Sequence, residues 1–213
     1  MPSVAYNFCK SRIVESWAAD YARGGACHVT HLKPDRRQVR NLRDAGVQKL
    51  IVYVRDPRQT LVSAVHHLEM YPDQFVEFRR DADLRERSQD SRRIGDAALR
   101  ILPFYLQSVE WIEHWTKMES EIQILFSTFE EITSDFDSFI ERYLAFYGGN
   151  TRFFSKTNAT ARHEGSYYHL RRGSIDEWLE VFTKDEADYL SSLLPETLKE
   201  RFRWGRMIYS ACR

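Results

Sequence analysis

At 213 residues the chain is long enough to bury a proper core, as one large domain or two small ones. With 43% hydrophobic residues it is globular rather than disordered. Lys and Arg total 31 and Asp and Glu total 31, so the formal net charge is zero; this argues against a general nucleic-acid binder, which usually carries a basic excess, and leaves room for a local basic pocket. Cys9, Cys27 and Cys212 are sparse and odd in number, which fits a reducing compartment better than a disulfide scaffold. No apolar run approaches the length of a membrane span, and no basic-then-apolar leader opens the chain. The expectation is a cytoplasmic protein.

In chain order, residues 2–8 are predicted as a first strand and 9–12 as a turn. Residues 13–23 follow as a helix ended by Gly24-Gly25. Residues 26–32 form a short strand or its exit loop, and 35–45 a helix that stops at Gly46. Residues 47–54 make the strongest strand, apolar on both faces after its start, as in a central parallel strand covered by helices. A helix runs from about Arg58 to Met70 and stops before Pro72. Residues 73–93, dense in charge, read as a surface excursion or lid. Residues 97–117 are apolar at helical spacing, with Pro103 forcing a break or kink. Residues 122–127 form another buried strand, and 135–147 an amphipathic helix closed by Gly148-Gly149. After an irregular polar stretch over 151–169, the last clear helix covers 184–194, capped by Thr183 and followed by Pro195. Strands alternating with helices predict an α/β fold with a mainly parallel sheet. Ligands of such sheets bind beyond the carboxyl ends of the strands.

Four clusters carry chemistry. Asn7-Phe8-Cys9-Lys10-Ser11-Arg12 joins a strand to a helix, where backbone amides attract anions and Lys10, Ser11 and Arg12 add donors. It contains no glycine, and the GxxxxGK[ST] pattern is absent. Arg55 ends the strongest strand, and Ser63 lies about two helical turns beyond it; a guanidinium and a hydroxyl so placed can hold one phosphate. Arg171-Arg172-Gly173 precedes Ser174-Ile175-Asp176-Glu177-Trp178; adjacent arginines can clamp a phosphate, and the glycine lets the backbone approach. In Cys27-His28-Val29-Thr30-His31-Leu32, a histidine at a strand exit can act as a general base near neutral pH. Cys27, His28 and His31 lack a fourth ligand at a usual zinc spacing, so no metal site is read here. Each cluster also has a plain structural reading: a basic turn, a surface ion-pair partner, a loop before a helix cap, a satisfied histidine. His66-His67, one turn past Ser63, reads as a solvated or half-buried helix face.

Their order and spacing together resemble the sulfotransferases that use 3′-phosphoadenosine 5′-phosphosulfate (PAPS). Tyr53-Val54-Arg55-Asp56-Pro57 and Val62-Ser63-Ala64-Val65-His66 match the family segment YVxRNPxDxxVSxxH with the same Arg-to-Ser spacing. Arg171-Arg172-Gly173, Trp178, Phe182 and Thr183 match RKGxxGDWKxxFT in register. Val29-Thr30-His31-Leu32 resembles KTHLP, and Phe129-Glu130-Glu131 resembles YED. The chain departs from the family at its first loop, where PKSGTTW keeps only Lys10-Ser11, at Val29 in place of lysine, and at Phe129 in place of tyrosine. The spacing from Lys10 to His31 is closest to compact bacterial members working on glycans or natural products.

The resemblance implies a single domain over residues 1–213, a P-loop-like three-layer sandwich with a central, mainly parallel sheet flanked by helices. It implies in-line transfer of a sulfuryl group to a hydroxyl or amine of a glycan, natural product or small molecule, leaving adenosine 3′,5′-bisphosphate (PAP). His31 is then the base, with His28 next in line, and Lys10 neutralises the leaving 5′-phosphate with Ser11 and Arg12 as donors. Arg55, Ser63, Arg171, Arg172 and Gly173 anchor the 3′-phosphate, and Phe129 or Trp17 stacks on the adenine. No metal, nucleic acid or membrane span is implied, and the oligomeric state is left open. Two alternatives stand beside it: a P-loop-like small-molecule kinase, which needs a magnesium site and a fuller phosphate loop, and a non-catalytic nucleotide-binding relative, which the altered first loop and Val29 favour.

Overall fold

The computed structural model describes residues 15–23, 31–70, 90–149 and 174–205. The strand expected over 2–8, the turn over 9–12, most of the excursion over 73–93 and the polar stretch over 151–169 lie outside those residues.

Helix α1 spans Glu15–Arg23 and α2 spans Arg36–Asp44. The Asp35 carboxylate caps α2 by accepting from the Gln38 amide at 2.8 Å, satisfying one of the amides a helix start leaves open. The helix ends before Gly46, whose φ of 96° lies in the left-handed region. A Cβ there would also stand 3.2 Å from the Ala22 Cβ of α1, so glycine serves both the turn and the close approach of the two helices.

Strand β1 (Lys49–Val54) runs parallel to β2 (Gln123–Thr128), in register from Lys49 opposite Gln123 to Val54 opposite Thr128. Alternate residues face opposite sides. Val52 and Val54 are buried in one core with Leu61, Val62, Val65, Tyr105, Val109 and Ile112. These come from α3 (Pro57–Met70) and α5 (Leu102–Lys117). The other face meets α7 (Phe136–Tyr147): Tyr53 packs its ring 6.0 Å from that of Phe139, and Lys49 Nζ donates to the Phe146 carbonyl at 2.7 Å. The strand pair therefore has helices on both sides, the α/β layering expected from the sequence. The expectation of a strand apolar and covered on both faces needs one correction: Tyr53 is 43% exposed beside Phe139.

Pro103 does break the helical stretch around it, but by starting a helix rather than bending one. Helix α4 (Ser91–Arg100) stops at Ile101, and Pro103 sits in the first turn of α5, where its missing N–H has no helical partner to lose. A Cβ on Gly95 of α4 would lie 2.8 Å from the Val181 carbonyl, so only glycine allows this helix to approach so closely. Three short helices, α6 (Phe129–Ser134), α8 (Trp178–Val181) and α10 (Glu196–Phe202), are too brief to print a helical period on the sequence. Thr128 and Glu131 form a capping box at α6, and Thr183 and Glu186 form another at α9 (Lys184–Ser192). Among the described residues no helix is long and apolar enough to cross a membrane.

Arg92 of α4 grips the Glu186 carboxylate of α9 with both terminal nitrogens, at 2.6 and 2.7 Å. Those hydrogen bonds hold the Glu186 carboxyl down at about 2, against an ordinary 4.5. A depressed carboxyl contributes stability that is complete above its unfolded value and lost as pH falls through its folded value. Melting temperature should therefore fall between pH 4.5 and about 2. Glu186→Gln keeps an oxygen for the cap but gives up the charge, and its melting curve across that window should be visibly flatter when followed by scanning fluorimetry.

Candidate nucleotide-phosphate site

Because Val54 and Thr128 are paired, the residues that follow them, Arg55 and Phe129, emerge side by side at the carboxyl edge of the strands. The Arg55 guanidinium carbon stands 4.2 Å from the centre of the Phe129 ring, a cation–π contact that holds the cation at this edge. Its Nη2 donates at 2.8 Å to the carbonyl of Ser174, a residue 119 positions away and the first after Gly173. Ser63 lies half-buried on α3, about two turns on from Arg55. The structure thus brings together Arg55, Phe129 and the chain emerging from Arg171-Arg172-Gly173. The ring expected to stack on adenine has its face against Arg55.

His31 is exposed just before α2. The segment is anchored one residue on, where Trp111 Nε1 of α5 donates to the Leu32 carbonyl at 2.9 Å. Lys10, Ser11, Arg12, His28, Arg171, Arg172 and Gly173 lie outside the described residues, as does the Trp17 side chain.

Beneath Arg55 is a buried ion pair that the sequence reading passed over. Arg58 and Asp56 are 2% and 4% exposed. The Asp56 carboxylate accepts from Arg58 Nε at 3.0 and 3.2 Å, from Nη2 at 2.6 Å, and from the Arg58 backbone amide at 2.9 Å. The guanidinium also donates to Ser191 Oγ at 2.8 Å and to the Trp204 carbonyl at 2.6 Å, and its carbon lies 4.0 Å above the Trp178 ring. A buried charge is tolerated when it is paired and its remaining protons are satisfied, which is the case here. Glu130 of α6 joins from below, accepting from the Asp56 amide at 3.2 Å. Burial pushes the Glu130 carboxyl above its ordinary range, with the Asp56 charge adding to the effect. No local signal marked the pair, since an acid and an arginine flanking a proline read as surface until their burial is known.

The described half of the site fits a nucleotide phosphate: a positioned guanidinium, a helical hydroxyl, and the carboxyl edge of a parallel strand pair. Two surface clefts lie elsewhere. One is lined by Arg40, Arg43, Asp44 and Gln48, the other by Thr116, Thr197, Leu198, Glu200 and Arg201. Gln48 precedes β1 and Thr116 lies at the end of α5, so both clefts sit toward the amino ends of the strands, away from Arg55.

Residues 27–202 match the sulfotransferase domain family, and the chain belongs to it. Among solved structures it is similar to a mouse sulfotransferase complexed with PAP, at 18% identity and a TM-score of 0.46. That likeness covers 74% of this chain and 59% of the mouse chain, so the chain spans less than two thirds of that relative. No curated protein gives a significant match.

Removing one partner of a buried, hydrogen-bonded ion pair leaves the other charge without compensation. Arg58→Met strands the Asp56 carboxylate and should lower unfolding free energy by about 3–5 kcal/mol, measured by urea denaturation.

Proposed function

We propose that this chain transfers a sulfuryl group from PAPS to a hydroxyl or amine of a glycan, natural product or small molecule, and that residues 1–213 act as one domain in doing so. The observation that carries this reading is the Arg55–Ser174 hydrogen bond. It joins the two sequence blocks that match the family's 3′-phosphate segments, from opposite ends of the chain, at the edge where a phosphate would bind.

Arg55 and Ser63 hold the 3′-phosphate from the α3 side, and Arg171, Arg172 and Gly173 close on it from the other. Lys10 faces the charge that builds on the 5′-phosphate, with Ser11 and Arg12 donating to its oxygens. His31 takes the proton of the acceptor as the new bond to sulfur forms and the bond to the 5′-phosphate oxygen breaks. Fixed positive charge and positioning supply most of the rate in such in-line transfers, and a positioned base adds about 10²–10⁴-fold. Phe129 bears on this chemistry through Arg55, whose guanidinium it faces.

PAP should raise the melting temperature more than AMP does, and Arg55→Ala should remove the extra shift that PAP gives. Equal stabilisation by AMP would overturn the assignment to a 3′-phosphate. His31→Ala should keep the PAP shift and lose sulfate transfer by about 10²-fold or more; full turnover in that variant would move the base to another residue. Magnesium-dependent ATP turnover without sulfate transfer would favour the kinase alternative.

A further inference from the structure

Gln59 is buried one turn beyond Arg55 on α3, at the position where the family segment YVxRNPxDxxVSxxH carries an aspartate. Its side-chain oxygen accepts from the Trp178 backbone amide at 3.1 Å, and its nitrogen donates to Glu177 Oε2 at 3.3 Å. The orientation of this amide is dictated by its partners, since a backbone N–H can only donate and a carboxylate can only accept. The network continues along α3: Glu177 Oε1 lies 3.3 Å from His66 Nε2, and His66 Nδ1 lies 3.4 Å from Glu69 Oε2. Glu69 and Glu177 are 8% and 5% exposed. On one side of this network stands the helix that carries Ser63; on the other stands the start of α8, just downstream of Arg171-Arg172-Gly173.

An aspartate or glutamate at position 59 could accept from the Trp178 amide but would set a second carboxylate against Glu177. Only an amide satisfies both partners at once. Buried hydrogen bonds whose donor and acceptor are both matched fix one arrangement of the elements they join, and those of Gln59 join α3 to the segment that begins at Ser174.

Resting on the sulfotransferase reading above, we propose that Gln59 is a positioning residue for the 3′-phosphate, paired to Glu177 and backed by His66 and Glu69. It latches the segment that begins at Ser174 onto α3, and so fixes the Ser174 carbonyl that accepts from Arg55. It acts on recognition of the 3′-phosphate and not on the rest of the nucleotide.

The test is calorimetric titration of the full chain with PAP and with AMP. Gln59→Glu should weaken PAP binding at least tenfold and leave AMP binding unchanged. The exchange Gln59→Glu with Glu177→Gln restores one amide facing one carboxylate, and should recover PAP affinity to within about threefold. A merely structural role would not make an exchange of partners restore selectivity for one phosphate. If Gln59→Glu does not fold, Gln59→Asn, an amide one methylene shorter that cannot span both partners, should show the same selective loss. The proposal is overturned if folded single variants keep wild-type PAP affinity, if PAP and AMP weaken together, or if the exchange fails to recover PAP binding. Absence of any PAP preference in the wild-type chain would instead overturn the sulfotransferase reading itself, and this proposal with it.

Discussion

The buried pair of Asp56 and Arg58 is the constraint on which the rest of the site depends. An arginine 2% exposed has five N–H donors to satisfy and a charge to balance. Here it does so with an aspartate two residues back, a serine on α9, a backbone carbonyl near the end of the described chain, and the face of Trp178. These partners come from well-separated parts of the sequence, so the charge is stable only when all of them have assembled. The start of α3 is thereby fixed with respect to α8, α9 and the turn after α10.

That anchor decides where Arg55 can be. Arg55 adjoins Asp56, and the Asp56 amide is in turn held by Glu130 next to Phe129. Arg55 is left at the carboxyl edge of the strands, facing the Phe129 ring and the Ser174 carbonyl. Two arginines three residues apart therefore have opposite tasks. Arg58 spends its donors on the protein interior; Arg55, half-buried, stands at the carboxyl edge of the strands, the side on which ligands of parallel sheets bind. An internal cation this close in sequence to Arg55 is tolerable because Asp56 neutralises it at contact distance.

Much of the fold was legible in the residues. The helix of 36–44 was announced by Asp35 and Gly46, that of 136–147 by Asp135 and Gly148, and that of 184–192 by Thr183. Caps of this kind are local devices, so their signal is local too. The short helices at 129–134, 178–181 and 196–202 left no such periodic trace, because their helical form rests on capping, tertiary packing and the chain direction set by their neighbours. At the candidate site, the position of Arg55 at the end of a strand was legible from the apolar run before it, and Arg171-Arg172-Gly173 lie outside the described residues. Asp56, Arg58, Gln59 and Glu177 were not legible, since charged and polar residues in a sequence read as surface until burial is known.

By itself, the sequence determined the family, the strand-then-helix order around Arg55 and the residue types able to hold a phosphate, because these rest on short-range spacing and side-chain chemistry. Only the tertiary structure decided which arginine faces the site and which one the interior, and that the chain beyond Gly173 returns to Arg55. Those outcomes depend on burial and on partners more than a hundred residues apart, such as Arg58 with Ser191 at a separation of 133 and Arg55 with Ser174 at 119. No local pattern encodes such contacts; they exist once the core has closed and each buried donor has found its acceptor.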